Sequence, residues 1–202
     1  MEKFTVGVII GSLSKGSINR KLARALIRLA PEELEFKEIN YEKLPLYNHD
    51  LDADFPLAAS EFKKNLSQVD AVLIVTPEYN RSIPGALKNA IDWASRPKVE
   101  NAFARKPSAV IGASTGAIGT AIAQQHLRSI LAFLDSPQMT FPEGYIQFKP
   151  GLVTDEGEVT VDSTREFLRQ FMQAFYEFIE RVNIALQHQR QRRPTGKPEV
   201  KA

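Results

Sequence analysis

The chain of 202 residues contains no cysteine. Disulfide bonds, thiolate metal sites and cysteine nucleophiles are therefore excluded. Only three histidines are present, and their spacing does not match a metal site on one helix. No apolar stretch approaches membrane-spanning length, and the N-terminus lacks a secretory signal pattern. These absences predict a cytoplasmic enzyme or binding domain, with no metal site and no membrane partner.

The composition is typical of a globular protein, with 43% hydrophobic and 25% charged residues. This length suffices for one α/β domain with a substantial core. The segment 187–202 carries a net charge of +4, which leaves −2 for the rest of the chain. We therefore predict a globular domain over residues 1–186 and a basic, disordered tail over residues 187–202. No aromatic residue lies among the charges of this tail, so nucleic-acid binding is not expected.

Strand and helix patterns alternate along the chain. Strands are predicted over residues 4–10, 34–39, 71–76 and 108–113, with a short fifth strand around Met139 or Tyr145. Helices are predicted from residue 18 and over 57–66, 84–95, 119–134 and about 162–187. Repeated strand–helix units imply parallel strands with right-handed crossovers. The sequence thus predicts a flavodoxin-like, doubly wound α/β sheet of five parallel strands in the order 2-1-3-4-5, with helices on both faces.

A Gly/Ser loop over residues 11–19 joins the first strand to the first helix. Its backbone N–H groups and the helix N-terminus would attract an anion, and Ser12, Ser14 and Ser17 add hydroxyl groups. Gly16 is not followed by the Lys–Ser/Thr pair of a Walker A loop, and the dinucleotide fingerprint is also absent. The loop favours a terminal monophosphate such as that of FMN. A plain Gly/Ser turn is the alternative.

Two further unusual loops follow the third and fourth strands, and ligands bind beyond the carboxyl ends of strands in such sheets. Residues 76–93 contain two prolines, which suit a rigid wall for a planar ligand, and Tyr79 and Asn80 add an aromatic ring and an amide. A proline-rich turn with a packed tyrosine is the alternative. Residues 112–120 contain three glycines, which permit close approach of a ligand. Trp93 is expected in the core or at a subunit interface.

Together, residues 11–19, the run from Thr76 to Trp93 and the loop from Gly112 to Gly119 resemble the NAD(P)H-dependent FMN reductases, in particular the bacterial quinone, chromate and azo-dye reductases. The resemblance extends to about Ile184. It implies one non-covalent FMN per subunit, NAD(P)H as co-substrate, and a dimer or homotetramer. It further implies that hydride passes through flavin N5 to quinones, azo dyes, chromate or free flavin by a ping-pong mechanism, with no catalytic side chain.

The resemblance also assigns residues to the site. The cofactor-binding residues expected from it are Gly11, Ser12, Ser14, Ser17, Ile18, Asn19, Pro77, Glu78, Tyr79, Asn80, Ser114, Thr115 and Gly116. Ser14 stands where the family usually has an arginine that reaches the phosphate or the nicotinamide nucleotide. Arg81 stands where close relatives often carry tyrosine, so a changed acceptor pocket is expected. Arg128 and Glu143 match positions that pair across the subunit contact, and a solvated surface pair is the alternative.

Two other functions share parts of this pattern. A flavodoxin-type electron carrier would have the same fold and FMN but no NAD(P)H dehydrogenase activity. Such carriers are usually strongly acidic, whereas this domain is nearly neutral. A nucleotide-binding regulatory domain without a redox role is the third possibility. Direct oxidation of NAD(P)H separates the reductase from the carrier, and flavin absorbance separates both from the regulatory domain.

Overall fold

The computed structural model describes residues 2–192. Within them the strands are β1 (Phe4–Ile10), β2 (Leu34–Glu38), β3 (Ala71–Val75), β4 (Ser108–Ser114) and β5 (Gly144–Gln147). The helices are α1 (Ile18–Leu29), α2 (Leu57–Ser67), α3 (Gly85–Ala94), α4 (Ala121–Phe133) and α5 (Asp162–Arg192). Short 3-10 turns lie at His49–Asp52 and Lys98–Glu100. None of the helices in this range is both long and apolar enough to cross a membrane.

The sheet has the order β2-β1-β3-β4-β5, and all its pairings are parallel. The predicted topology is therefore confirmed. Every residue of β3 is buried, because helices cover both faces of this central strand. The fifth strand forms around Tyr145, whereas the segment near Met139 contributes a single bridge between Gln138 and Ser108.

Successive side chains of each strand point to opposite faces of the sheet, and they form one hydrophobic cluster on each face. Val6, Val8 and Ile10 of β1 belong to the cluster under α1 and α5. Ile9 of the same strand belongs to the cluster under α2, α3 and α4. An aromatic stripe on α5 packs into the first cluster, where Phe171 is fully buried; it consists of Phe167, Phe171, Phe175 and Phe178. Both helical layers thus follow from the sequence pattern.

Three details differ from the sequence prediction or refine it. Helix α5 continues to Arg192, into the segment predicted as a tail, and residues 193–202 lie outside the described residues. Pro84 is the N-cap of α3 rather than a residue of its first turn. Trp93 is fully buried, and its Nε1–H donates to the carbonyl of Pro45 at 2.8 Å, which confirms the core assignment.

The register of the sheet brings three loops to one edge. Ile10 pairs with Val75, and Val75 pairs with Ile111, so β1, β3 and β4 end at nearly the same level. The ladder continues into the loops, because Gly11 N–H donates to the Val75 carbonyl at 2.8 Å and Thr76 N–H to the Ile111 carbonyl at 3.0 Å. The loops after these strands therefore begin side by side at the point where the strand order reverses.

Candidate functional site

The loop after β1 forms an anion cradle, which we define as residues 11–19. Ser17 is the N-cap of α1, and its hydroxyl accepts a hydrogen bond from the third helical residue. Ser12 Oγ accepts from the backbone N–H of Ser14 at 3.3 Å. The backbone N–H groups of Ile18 and Asn19 have no acceptor among the described residues. Free donors at a helix N-terminus favour a phosphate there, as the sequence predicted.

The side chain of Asn19 has a structural task. It is buried, with 1% of its surface exposed. Its Nδ2 donates to the carbonyl of Ala113 at 2.9 Å, and its Oδ1 accepts from the N–H of the same residue at 2.8 Å. The amide thus joins the first turn of α1 to the end of β4. Asn19 can therefore contact a phosphate only through its backbone N–H group, because both polar atoms of its side chain are bonded to Ala113.

Glycines allow the three loops to pack closely around Thr76. A Cβ on Gly11 would lie 2.8 Å from Thr76 Oγ1. A Cβ on Gly112 would lie 2.0 Å from the Thr76 carbonyl oxygen and 2.4 Å from Thr120 Oγ1. By contrast, a Cβ on Gly116 would meet only Ser114 Oγ, at 3.5 Å. Gly11 and Gly112 are therefore packing positions under the site, and Gly116 lies in open space at its surface.

The loop after β3 contains a two-residue hairpin turn that the sequence analysis missed. Tyr79 and Ser82 exchange both backbone hydrogen bonds, at 2.9 and 3.0 Å. The residues between them have positive φ angles, 51° for Asn80 and 63° for Arg81. These angles are those of a type I′ turn, in which glycine is favoured at the second position. The turn leaves the Tyr79 side chain half exposed at the mouth of the site.

A buried carboxylate attaches this turn to a neighbouring helix. The side chain of Glu78 is 8% exposed. Its Oε2 accepts from the N–H groups of Ile122 and Ala123, at 3.1 and 3.0 Å, at the start of α4. Its Oε1 lies 3.4 Å from Arg81 Nη1. The negative charge is thus held at the positive end of a helix. Glu78 can line a planar ligand only through its backbone, because its side chain is committed to α4 and Arg81.

The loop after β4 supplies the third side of the site. Ser114 Oγ accepts from the N–H of Gly116 at 3.1 Å and closes a small turn. Thr115 and Gly116 are exposed beyond it. The bond from Asn19 to Ala113 places this turn beside the anion cradle. The structure therefore brings together the anion cradle, the half-exposed ring of Tyr79 and the exposed residues 115–116, all at one edge of the sheet.

Residues 4–150 match the family model described as NADPH-dependent FMN reductase. The chain belongs to this family. It is an oxidoreductase of the NAD(P)H-dependent FMN and quinone reductase type, with FMN as cofactor and NAD(P)H as co-substrate. This assignment favours the reductase over the electron carrier and the regulatory domain that share parts of the sequence pattern.

Similar proteins cover most of the chain. A 2-hydroxy-1,4-benzoquinone reductase from a Burkholderia species is 47% identical over 86% of this chain and 95% of its own. A quinone reductase from Escherichia coli K12 is 43% identical over 91% of this chain and 99% of its own. A solved structure of FerB, a flavoenzyme NAD(P)H:(acceptor) oxidoreductase from Paracoccus denitrificans, superimposes with a TM-score of 0.84. It is 46% identical, and the match covers 88% of this chain and 98% of that one.

The residues at the site fit the FMN that the family implies. The free N–H groups of Ile18 and Asn19, with the hydroxyls of the anion cradle, suit the phosphate. The half-exposed ring of Tyr79 and the open surface at Gly116 suit a flat aromatic group. The donors at the cradle are backbone N–H groups and hydroxyls with the exposed Lys15 among them, and such donors suit a phosphate.

Two of the predicted residues lie elsewhere. Arg128 is on α4, where its Nη1 donates to the carbonyl of Met139 at 2.9 Å. Its Nε and Nη2 are buried and have no partner within the described residues. Glu143 precedes β5 and accepts from the Tyr145 hydroxyl at 2.6 Å. Burial and this hydrogen bond raise the pKa of Tyr145. Arg128 and Glu143 form no ion pair with each other within the described part of one chain.

Proposed function

We propose that this protein reduces quinones with NAD(P)H by a ping-pong mechanism, and that azo dyes, chromate and free flavin serve as further acceptors. The anion cradle is the observation that carries the proposal, because its free N–H groups suit a terminal monophosphate. Quinones are the acceptors named for the relatives described above, which supports the same class here. The redox chemistry is that of bound FMN, whose ring carries electrons from NAD(P)H to the acceptor.

The side chains and backbone groups of this chain would bind FMN and orient its ring. Ile18, Asn19, Ser12 and Ser17 would hold the phosphate, chiefly through N–H groups and hydroxyls. The segment 77–80 would form one wall against the ring, stiffened by the hairpin turn that it enters. The rim at 114–116 would close the opposite edge. No protein acid or nucleophile is required, since proton and hydride chemistry take place on the cofactor and substrates.

An absorbance spectrum tests the proposed cofactor and activity directly. We expect purified protein to show flavin bands, or to acquire them when FMN is added. Anaerobic NADPH should bleach these bands, and a subsequent quinone addition should restore them. Colourless protein that takes up no FMN would contradict the proposal, and so would a yellow protein that NADPH and NADH both fail to reduce.

Steady-state kinetics test the order of the two half-reactions. Because both substrates are expected to use one face of the ring in turn, NAD(P)H and quinone cannot be bound there together. Initial rates measured against NAD(P)H at several fixed quinone concentrations should therefore give parallel double-reciprocal lines. Lines that intersect would indicate a ternary complex and would rule out the ping-pong mechanism, while leaving the reductase activity itself intact.

We further propose that the outer face of α4 and the segment before β5 join copies of the chain into a dimer or homotetramer. Phe133 at the end of α4 and Phe141 before β5 are each 82% exposed, and a second copy of the chain would cover these two rings. Arg128 holds two buried nitrogens without an acceptor in the described residues of its own chain. We expect Glu143 of the partner subunit to pair with the guanidinium group of Arg128, after the local movement that exposes these nitrogens.

The variant Arg128→Ala tests this surface. We expect it to shift the sedimentation velocity profile toward smaller species at micromolar concentration, because the intersubunit acceptor loses its partner. Arg169→Ala is the matched control, since Arg169 makes an exposed ion pair with Glu166 on α5. An unchanged sedimentation coefficient for Arg128→Ala in an oligomeric parent protein would place the contact elsewhere.

A further inference from the structure

Arg81 combines a conformation that disfavours its residue type with an exposed charge at the mouth of the site. Its φ angle of 63° lies in the left-handed region, where a side chain other than that of glycine or asparagine is disfavoured. Its side chain is 67% exposed, so burial of the arginine does not offset this strain. Backbone strain of this kind concentrates at functional positions, where the side chain has a task.

Contacts on both sides of Arg81 attach the turn to α4. Arg81 is adjacent to Ser82, whose hydroxyl lies 3.0 Å from Nδ1 of His126 on α4. On the other side, Glu78 holds Arg81 Nη1 at 3.4 Å. The turn is therefore tied to α4 at both of its ends, and the half-exposed ring of Tyr79 lies two residues before Arg81 in this turn.

The charge of Arg81 remains available to a ligand. The Glu78 carboxylate is balanced by the two N–H groups at the start of α4, and it contacts only one of the guanidinium nitrogens. A negatively charged compound that approaches the wall formed by residues 77–80 would therefore meet the exposed guanidinium group of Arg81.

We propose that Arg81 is a specificity-determining residue that selects anionic electron acceptors, namely quinones with a hydroxyl group ionised at neutral pH, over neutral quinones of similar size. This inference rests on the proposed function, because it assumes that acceptors stack at the wall beside Arg81. A guanidinium group suits such an acceptor, since it donates two parallel hydrogen bonds to adjacent oxygens while it stacks near an aromatic ring.

Equilibrium binding to the oxidised FMN-loaded protein tests the proposal without turnover. The probes are 2-hydroxy-1,4-naphthoquinone, which is an anion at pH 7, and 2-methyl-1,4-naphthoquinone, which is neutral. By calorimetry we expect Arg81→Gln to weaken binding of the anionic probe about tenfold, as the loss of a charge-assisted hydrogen bond does, with little change for the neutral probe. Arg81→Lys should restore only part of the affinity for the anion, because the ammonium group keeps the charge but not the two parallel donors, and added salt should weaken binding of the anion to the parent protein.

Kinetics provide the second readout. The ratio of kcat/KM for the two quinones should fall about tenfold in Arg81→Gln, in line with the binding result. The comparison of ratios cancels the difference in reduction potential between the probes. Arg169→Gln, which removes an exposed arginine on α5, should leave the ratio unchanged.

Equal weakening of both probes would overturn the proposal, because it would mean that Arg81 only shapes the turn. The proposal would also fall if Arg81→Gln slowed anaerobic reduction by NADPH while the quinone ratio stayed constant, since the arginine would then serve the electron donor. Failure of the parent protein to bind FMN is a separate outcome, which contradicts the proposed function itself.

Discussion

Gly112→Ala is expected to lower the free energy of unfolding by about 3 kcal/mol and to abolish tight FMN binding. The new methyl group would overlap the Thr76 carbonyl oxygen at 2.0 Å and Thr120 Oγ1 at 2.4 Å. A backbone carbonyl cannot move aside as the end of a flexible side chain can. Strand β3 would therefore have to separate from β4 at the point where the wall of the site begins. Urea unfolding of the apoprotein and quenching of FMN fluorescence measure the two effects.

Gly116→Ala is the matched control for this prediction, since it adds the same methyl group in the same loop. That group would meet only Ser114 Oγ, at an ordinary contact distance of 3.5 Å. The control should change the free energy of unfolding by less than about 0.5 kcal/mol. Equal stability of the two variants would show that the loops do not pack around Thr76 as described.

Asn19→Ala is expected to cost about 2–4 kcal/mol of stability in the apoprotein. The substitution removes both hydrogen bonds to Ala113 and leaves a buried N–H and a buried carbonyl without partners. It should also weaken FMN binding, because the first turn of α1 loses its attachment to β4. Unfolding must be measured without FMN, so that the structural effect is separated from any contact with phosphate.

Asn40→Ala is the control for Asn19, since it removes an exposed amide that accepts one hydrogen bond from the N–H of Glu42. We expect a loss of less than about 1 kcal/mol there. If Asn19→Ala left the apoprotein as stable as the parent and reduced only FMN affinity, the side chain would be a direct phosphate ligand and the structural role assigned to it would be wrong.

The fold could be predicted from the sequence because its signals are local. The apolar run of β3 and the aromatic stripe of α5 each identify their element without knowledge of the rest of the chain. The position of the fifth strand could not be decided from the sequence, because β5 has only four residues and the segments around Met139 and Tyr145 have similar patterns. Pairing with β4 selects the segment around Tyr145, and neither segment by itself shows which of the two makes this pairing.

The site was predicted as a set of loops, but not as a set of contacts. The Glu78 carboxylate accepts hydrogen bonds from Ile122 and Ala123, which lie more than forty positions later in the chain. No sequence pattern links residues at that separation. The N-cap residue Thr120 makes no capping hydrogen bond of its own, which is visible only in the structure. Asn80 was a usable signal for the hairpin, since asparagine favours positive φ, but Arg81 at the glycine-favoured position obscured it.

The internal use of the Asn19 amide has a consequence for how the family can diverge. When recognition of a dianion depends on main-chain groups, any residue that preserves the loop geometry preserves the affinity. The serine at position 14, where the resemblance implies an arginine, is then expected to be tolerated without loss of FMN affinity. Natural variation should accumulate among the side chains nearest to the ligand, and purifying selection should act on the buried Asn19 side chain, which contacts Ala113 instead of the ligand.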